Sequence, residues 1–381
     1  MAAAGGQSRP GPPRATSGRQ PAPARQPAPA REPAPSSQPA HPPPHRTGRG
    51  SNLFDLIRIV AAGMVIVGHA WPLSGVTGPP TLAGISVHHL GVYVFFALSG
   101  YLLARSWARE PRPAPFLIRR ALRIFPALAL VVVVTLGLIG PLMTTERPAA
   151  YWGSGQTWSY LLNLTLLAEY ELPGVFTDNP TTAVNGSLWS LGPEFSCYLG
   201  LVALGLLGAW ASRVLRGVLA LATATAIIAI PLTGPLRTTM IAVVFFIIGS
   251  LIAEIPRSVR LPLWPAVLGT VILPFLGGEV GLVAGWVFVP YAVIAVGSRS
   301  SRIAAPLSRL GDPSYGMYLW AFPVQQIVVA LAGPLPLWAS VAIVLPAAVM
   351  LGYASWHLVE RRAIALGNAL SARVPVRLGG G

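Results

Sequence analysis

The sequence predicts an all-α, polytopic integral membrane protein, and three observations carry that prediction. Of its 381 residues, 53% are apolar and only 10% charged, against roughly a quarter charged in soluble domains. The apolar residues gather into runs close to the ~20 needed to cross a bilayer. The basic residues, 27 arginines against 12 acidic side chains, come in short bursts between those runs. A nucleic-acid partner would want that charge on one polar face, so none is expected, and the lipid bilayer is the expected partner.

Residues 1–50 are rich in Pro, Ala, Arg and Gln and hold no Ile, Leu, Val or aromatic residue. They cannot bury enough apolar surface to offset the entropy of ordering, so a disordered cytoplasmic tail is expected, a composition an organellar transit peptide would share. Residues 51–363 form the membrane domain. Ten helical spans are expected, at 54–73, 88–107, 122–143, 187–210, 214–232, 237–255, 262–277, 279–297, 313–333 and 336–358. Helices are required because backbone groups in hydrocarbon must be satisfied within their own segment. The seventh and eighth are short. The stretch 151–168 is apolar but too short to span, and is expected to lie along the outer surface or to re-enter. Residues 364–381 are expected to be a short basic tail.

Cytoplasmic loops carry the excess of basic residues, and this register puts 24 of the 27 arginines on one side. Both termini are therefore expected in the cytoplasm, in a multi-pass protein of the plasma membrane. The single Cys197 excludes an internal disulfide or a cysteine-based zinc site, and no metal is expected.

An ionisable group at bilayer depth costs at least ~2.5–3.5 kcal/mol, so each one in a span is a candidate for function. Asp55 and Arg58 stand three apart on one face of the first span. His69 lies eleven residues on, roughly 16 Å up the same helix and on nearly the same face. Asp55 and Arg58 read as a helix-stabilising pair, as part of a polar cavity, or as both. His69 reads either as a structural histidine bonded to a backbone carbonyl or as a general base, since imidazole accepts a proton near neutral pH. Arg120 and Arg123, one turn apart where the third span begins, read as positive-inside anchors or as a phosphate clamp. Glu194 and Tyr198 share a face of the fourth span, where a carboxylate needs a partner or water. Cys197 beside them reads as a small core residue.

Taken together, these motifs resemble the membrane-bound acyltransferase-3 family. Asp55, Arg58 and His69 match its first-span pattern. Phe95-Phe-Ala-Leu-Ser99-Gly100-Tyr101 is similar to its Phe-Phe-x-x-Ser-Gly segment, and Arg120-x-x-Arg123-x-x-Pro126 to its arginine motif. Leu188-Trp189-Ser190-Leu191 with Glu194 and Tyr198 resembles a further element, and Gly311-Asp-Pro-Ser314-Tyr315-Gly-Met-Tyr318-Leu319-Trp320 the ninth-span signature. The resemblance runs from Asn52 to Arg362. It departs at Ala321, where the family usually has His, and at Arg361, where Pro is common.

What the resemblance implies is acyl transfer across the membrane. The donor is acyl-CoA, acetyl-CoA in the simplest case, with no tightly bound cofactor. The acceptor is a hydroxyl of a sugar in a surface polysaccharide, glycolipid or similar molecule. On that reading His69 is the base or transient acyl carrier and Glu194 assists it. Arg58, Arg120 and Arg123 hold the donor, while Asp55, Ser99, Tyr198 and Tyr315 support the site. Two other classes stay open: a proton-coupled exporter of a saccharide or organic acid, with His69 and Glu194 as relay, and a non-catalytic scaffold lacking the ninth-span His. The absence of corresponding half-sequences speaks against an inverted-repeat transporter.

Overall fold

The computed structural model describes Gly11 and residues 52–256, 258–301, 306, 309–333 and 335–375. The tail expected over residues 1–50, Gly11 apart, and the last part of the expected basic tail, from residue 376, lie outside the described residues.

Long apolar helices joined by tight turns make up the chain. Helix α1 (Phe54–Leu73) opens with Asp55 in its first turn, where a carboxylate meets the positive end of the helix dipole. A two-residue hairpin follows, β1 (Thr81–Leu82) against β2 (Ile85–Ser86). Its turn residues Ala83 and Gly84 both have positive φ, 56° and 74°, the mirror-image geometry that suits so short a connection. Helix α2 (Val87–Arg109) starts at once. Helix α3 (Pro113–Val134) begins on Pro113, whose fixed φ and missing N–H fit a first turn. It runs through a π-helical turn (Thr135–Ile139) into α4 (Gly140–Met143). The Leu136 carbonyl in that π turn accepts the Tyr151 hydroxyl at 2.8 Å, which keeps a buried backbone group paired.

The stretch after α4, expected to be too short to cross, is built of α5 (Pro148–Gly153), α6 (Gly155–Ser159) and a 3-10 turn (Tyr160–Thr165). A second 3-10 turn (Gly186–Ser190) leads into α7 (Leu191–Leu206). Then come α8 (Ala209–Ala229), α9 (Gly234–Ile252), α10 (Trp264–Ile272) and α11 (Gly278–Gly297). The last helices are α12 (Ser314–Ala332), α13 (Leu337–Ser355), a π-helical turn (Trp356–Glu360) and α14 (Arg361–Arg373).

Among the described residues eight helical segments are long and apolar enough to cross a membrane. All ten expected segments contain helix, but two are short. Helix α7 has 16 residues, and the apolar helix around α10 runs only over Trp264–Phe275. The expected helix at 336–358 continues instead to Arg373, a rod of 37 residues.

Helices α2 and α12 are the most enclosed of the spans. Helix α2 packs most extensively against α9, and two glycines set the crossing. A Cβ on Gly100 would lie 2.0 Å from the Phe246 carbonyl oxygen, and one on Gly249 only 2.1 Å from that of Ala97. Small residues that let backbones approach this closely are the usual interface of helices in lipid. Helices α12 and α13 meet likewise, with a Cβ on Gly316 falling 2.8 Å from the Gly352 Cα.

Candidate active site

The site is held together by a residue that stands in the ninth-span signature but is not among the candidates named above. Asp312 sits in the turn before α12 and is 7% exposed. Its Oδ1 accepts the backbone N–H of Ser314 at 3.1 Å and the Ser314 hydroxyl at 2.5 Å. Its Oδ2 takes Arg123 at 2.7 Å and faces Arg58 at 3.5 Å. One carboxylate thus joins α1, α3 and α12. Gly311 makes the turn possible: it adopts φ 101°, and a Cβ there would meet the Trp356 indole nitrogen at 1.9 Å. Burial alone would raise the Asp312 pKa, but Arg123, Arg58 and the Ser314 hydroxyl together hold it at about 2. Arg123 also lies 5.8 Å over the Trp356 ring, and Arg58 is bonded to Asp55 at 3.1 Å.

Glu194 lies in the first turn of α7, and α7 is short because it begins deep in the bundle, beside the middle of α2. There Glu194 Oε1 accepts the Ser99 hydroxyl at 2.8 Å and the Tyr198 hydroxyl at 2.5 Å. The 3-10 turn and extended backbone that precede α7 are satisfied by side chains, as buried backbone outside an α-helix in a membrane protein must be. Asn185 caps Ser187 N–H at 3.2 Å and donates to the Leu319 carbonyl at 3.0 Å. Tyr318 donates to the Ser187 carbonyl at 2.6 Å, and its hydroxyl is 2.7 Å from that of Ser190.

Between these groups lies a cavity of about 100 Å³, whose walls include Arg58, Ser99, Arg120, Arg123, Glu194, Tyr198 and Tyr315. That volume holds several waters, at roughly 10–15 Å³ each, or a short acyl group. Tyr315 donates to the Ile124 carbonyl at 3.0 Å and so fixes its wall. The three arginines differ. Arg58 and Arg123 are matched by carboxylates, whereas Arg120 has no carboxylate within 4.0 Å among the described residues. The Arg120 Nε is buried with no hydrogen-bond partner among them. Asp55 stays outside the lining and reaches the cavity only through Arg58.

His69 is not in this lining. The face of α1 between Arg58 and His69 is made of Ala62, Val65 and Ile66, each at most 1% exposed, so the expected polar stripe is interrupted by apolar packing. Val92 and Phe95 are among the residues that line the cavity, and His88 stands one turn from Val92 on α2. His69 Nδ1 lies 2.8 Å from the Val65 carbonyl. Donating there leaves Nε2 as the ring's lone-pair nitrogen. The His69 ring is 4.9 Å from His88 and 5.3 Å from Phe322, and His88 is 4.3 Å from His89. Ser86 Oγ joins the pair, 3.3 Å from His88 Nε2 and 2.9 Å from His89 Nδ1. No group of His, Cys, Asp and Glu among the described residues is placed to hold a metal ion. His88 and His89 were readable as ionisable residues opening an expected span; Asp312 carried only the signal of a Gly-Asp-Pro-Ser turn. Ala321 is buried with Ala62, Ile66 and Met317, so α12 offers α1 no polar group at that position. Cys197 is partly buried against the core.

Comparison with known proteins shows the family. The acyltransferase-3 family model, described as an acyltransferase domain, matches residues 52–357. An O-acetyl transferase of Shigella phage Sf6 is 26% identical over 330 residues, covering 82% of this chain and 96% of that protein. Nodulation protein 10 of Rhizobium leguminosarum bv. viciae is 35% identical over 41% of this chain and 44% of its own length. The regulator of hypoxia-inducible factor 1 of Caenorhabditis elegans is 28% identical over 29% of this chain and 22% of its own length. No solved structure matches the chain. With a family match over most of its length and apolar helices long enough to cross a bilayer, the chain belongs to the acyltransferase-3 family and is a multi-pass membrane acyltransferase.

Proposed function

We propose that the chain is a plasma-membrane O-acyltransferase. It takes an acyl group, in the simplest case acetyl, from acyl-CoA on the cytoplasmic side and places it on a sugar hydroxyl of a surface polysaccharide, glycolipid or similar acceptor. The observation that carries the reading is Glu194, a carboxylate held by two hydroxyls inside an arginine-lined cavity of acyl-group size. The relative named as an O-acetyl transferase, matched along 96% of its length, supports oxygen as the acceptor and acetyl as the group. The arginine distribution supports a cytoplasmic donor side.

In the proposed reaction the acceptor oxygen attacks the thioester carbonyl carbon, the C–S bond breaks, and CoA leaves as the thiol with the proton the hydroxyl gave up. His69 carries that proton on Nε2. Arg120, which has no carboxylate partner among the described residues, stabilises the charge that develops on the carbonyl oxygen. Arg58 and Arg123 hold the donor, Asp55 keeps Arg58 in place, and Glu194 orients the reacting groups with Ser99 and Tyr198. Tyr315 shapes the wall. Donor and acceptor approach from opposite sides of the membrane.

The test is transfer of radiolabelled acetyl from acetyl-CoA to ester-linked product in membranes. His69→Ala is expected to lower the rate by at least about 100-fold with the amount of inserted protein unchanged; full activity would remove His69 from the reaction. If no ester forms from acetyl-CoA while a proton gradient drives solute movement, the protein is a transporter instead.

A further inference from the structure

A second, larger cavity of about 770 Å³ lies below the first, among the start of α1 and the ends of α2, α9 and α11. Four arginines line it: Arg105, Arg109, Arg260 and Arg299. None has a carboxylate within 4.0 Å among the described residues, where the ion pairs take up Arg58, Arg112, Arg119, Arg123, Arg213, Arg216 and Arg237. Two of the four are held in position by backbone carbonyls. Arg105 donates to Ile255 at 2.7 Å and lies 4.8 Å over the Tyr101 ring, and Arg299 donates to Leu261 at 2.7 Å. The Arg105 Nε is buried and has no partner among the described residues. Arg109 and Arg260 are exposed. Gathering four unneutralised guanidiniums around one hollow costs repulsion that an occupant of opposite charge would relieve, and the forked N–H geometry suits phosphate oxygens.

The two cavities share the wall residue Leu102. On α2, Ser99, Leu102 and Arg105 follow at three-residue steps, a row that slants around the helix from the Glu194 site to the basin, about 9 Å from Ser99 to Arg105 along the axis. Arg58 and Arg123, by contrast, already have their charge answered by Asp55 and Asp312.

We infer that the four-arginine basin binds the phosphate-bearing nucleotide end of the acyl-CoA donor, whose flexible arm passes Leu102 and delivers the thioester to the Glu194 cavity. This rests on the donor reading above and moves the phosphates away from Arg58 and Arg123, which are left to the donor's uncharged end.

The experiment measures binding of CoA, dephospho-CoA and pantetheine to the full-length protein in detergent by titration calorimetry. In the double variant Arg109→Gln and Arg260→Gln, both at exposed positions, CoA is expected to bind at least about tenfold more weakly. Dephospho-CoA should lose less, and pantetheine, which has no phosphate, should be unaffected. The charge-keeping variant Arg109→Lys and Arg260→Lys should recover most of the affinity. Unchanged CoA affinity in the glutamine variant, or an equal loss for CoA and pantetheine, overturns the inference and leaves the donor reading standing. Failure of the wild-type protein to bind CoA overturns the donor reading and this inference with it.

Discussion

Asp312 and Glu194 are the two carboxylates on which the site depends, and they fail differently. Asp312 titrates at about 2 in the folded chain and near ~3.9 when unfolded. Its contribution is therefore complete above about pH 4 and is lost as the pH falls from there through 2. Thermal unfolding in detergent should show that acid limb, and Asp312→Asn should flatten it. At neutral pH the same variant leaves the half-buried Arg123 without its carboxylate while Arg58 keeps Asp55, and is expected to cost roughly 1.5–3 kcal/mol, read as a fall in Tm. Glu194 is judged by rate instead. Tyr198→Phe removes one of the two hydrogen bonds that aim the Glu194 side chain, and misplacing a positioning group in this way is expected to lower kcat about tenfold or more. The fold should survive, because Ser99 still donates to the same oxygen.

Among the helices, the crossing of α2 and α9 is where packing reaches the chemistry. Gly100 follows Ser99 directly, and α9 touches it backbone to backbone. Gly249→Leu must push α9 away from α2 and carry Ser99 off Glu194. Overpacking of this kind costs roughly 1–3 kcal/mol; the expected result is a lower Tm together with lost transfer, whereas Leu201→Met in α7, a volume-conserving change, should alter neither much. Periodicity and apolar length sufficed to find the helices, since a run of aliphatic residues in lipid has few other structures open to it. They could not show that α7 starts at mid-depth. That depends on Asn185 and Tyr318 satisfying the backbone ahead of it, a pairing between residues more than a hundred positions apart.

For the molecule as a whole, the arginine sorting makes a topological prediction. With Cys197 replaced by Ser, a cysteine at exposed Ala150 should react with an impermeant maleimide in intact cells, and one at exposed Ser258 only after permeabilisation. The reverse pattern would invert the assigned donor and acceptor faces. Arg58, Ser99, Arg120, Arg123, Glu194, Tyr198 and Tyr315 were each readable as candidates, because a polar group in an apolar run is conspicuous. Their convergence on one cavity, and the exclusion of His69 from it, were not, because an apolar patch between Arg58 and His69 looks the same in sequence whether it seals a passage or faces lipid. Asp312 was hidden by its place in a turn, where an aspartate usually serves only the local backbone.

The link from Arg123 to Asp312 spans 189 positions, and that separation orders events during synthesis. A ribosome delivers both guanidiniums to the bilayer well before it translates their shared counterion, so the catalytic chamber closes only when the twelfth helix arrives. Nascent chains stopped short of that point are expected to be cleared by membrane proteases rather than to persist with partial activity, which pulse-chase labelling of truncated products would reveal.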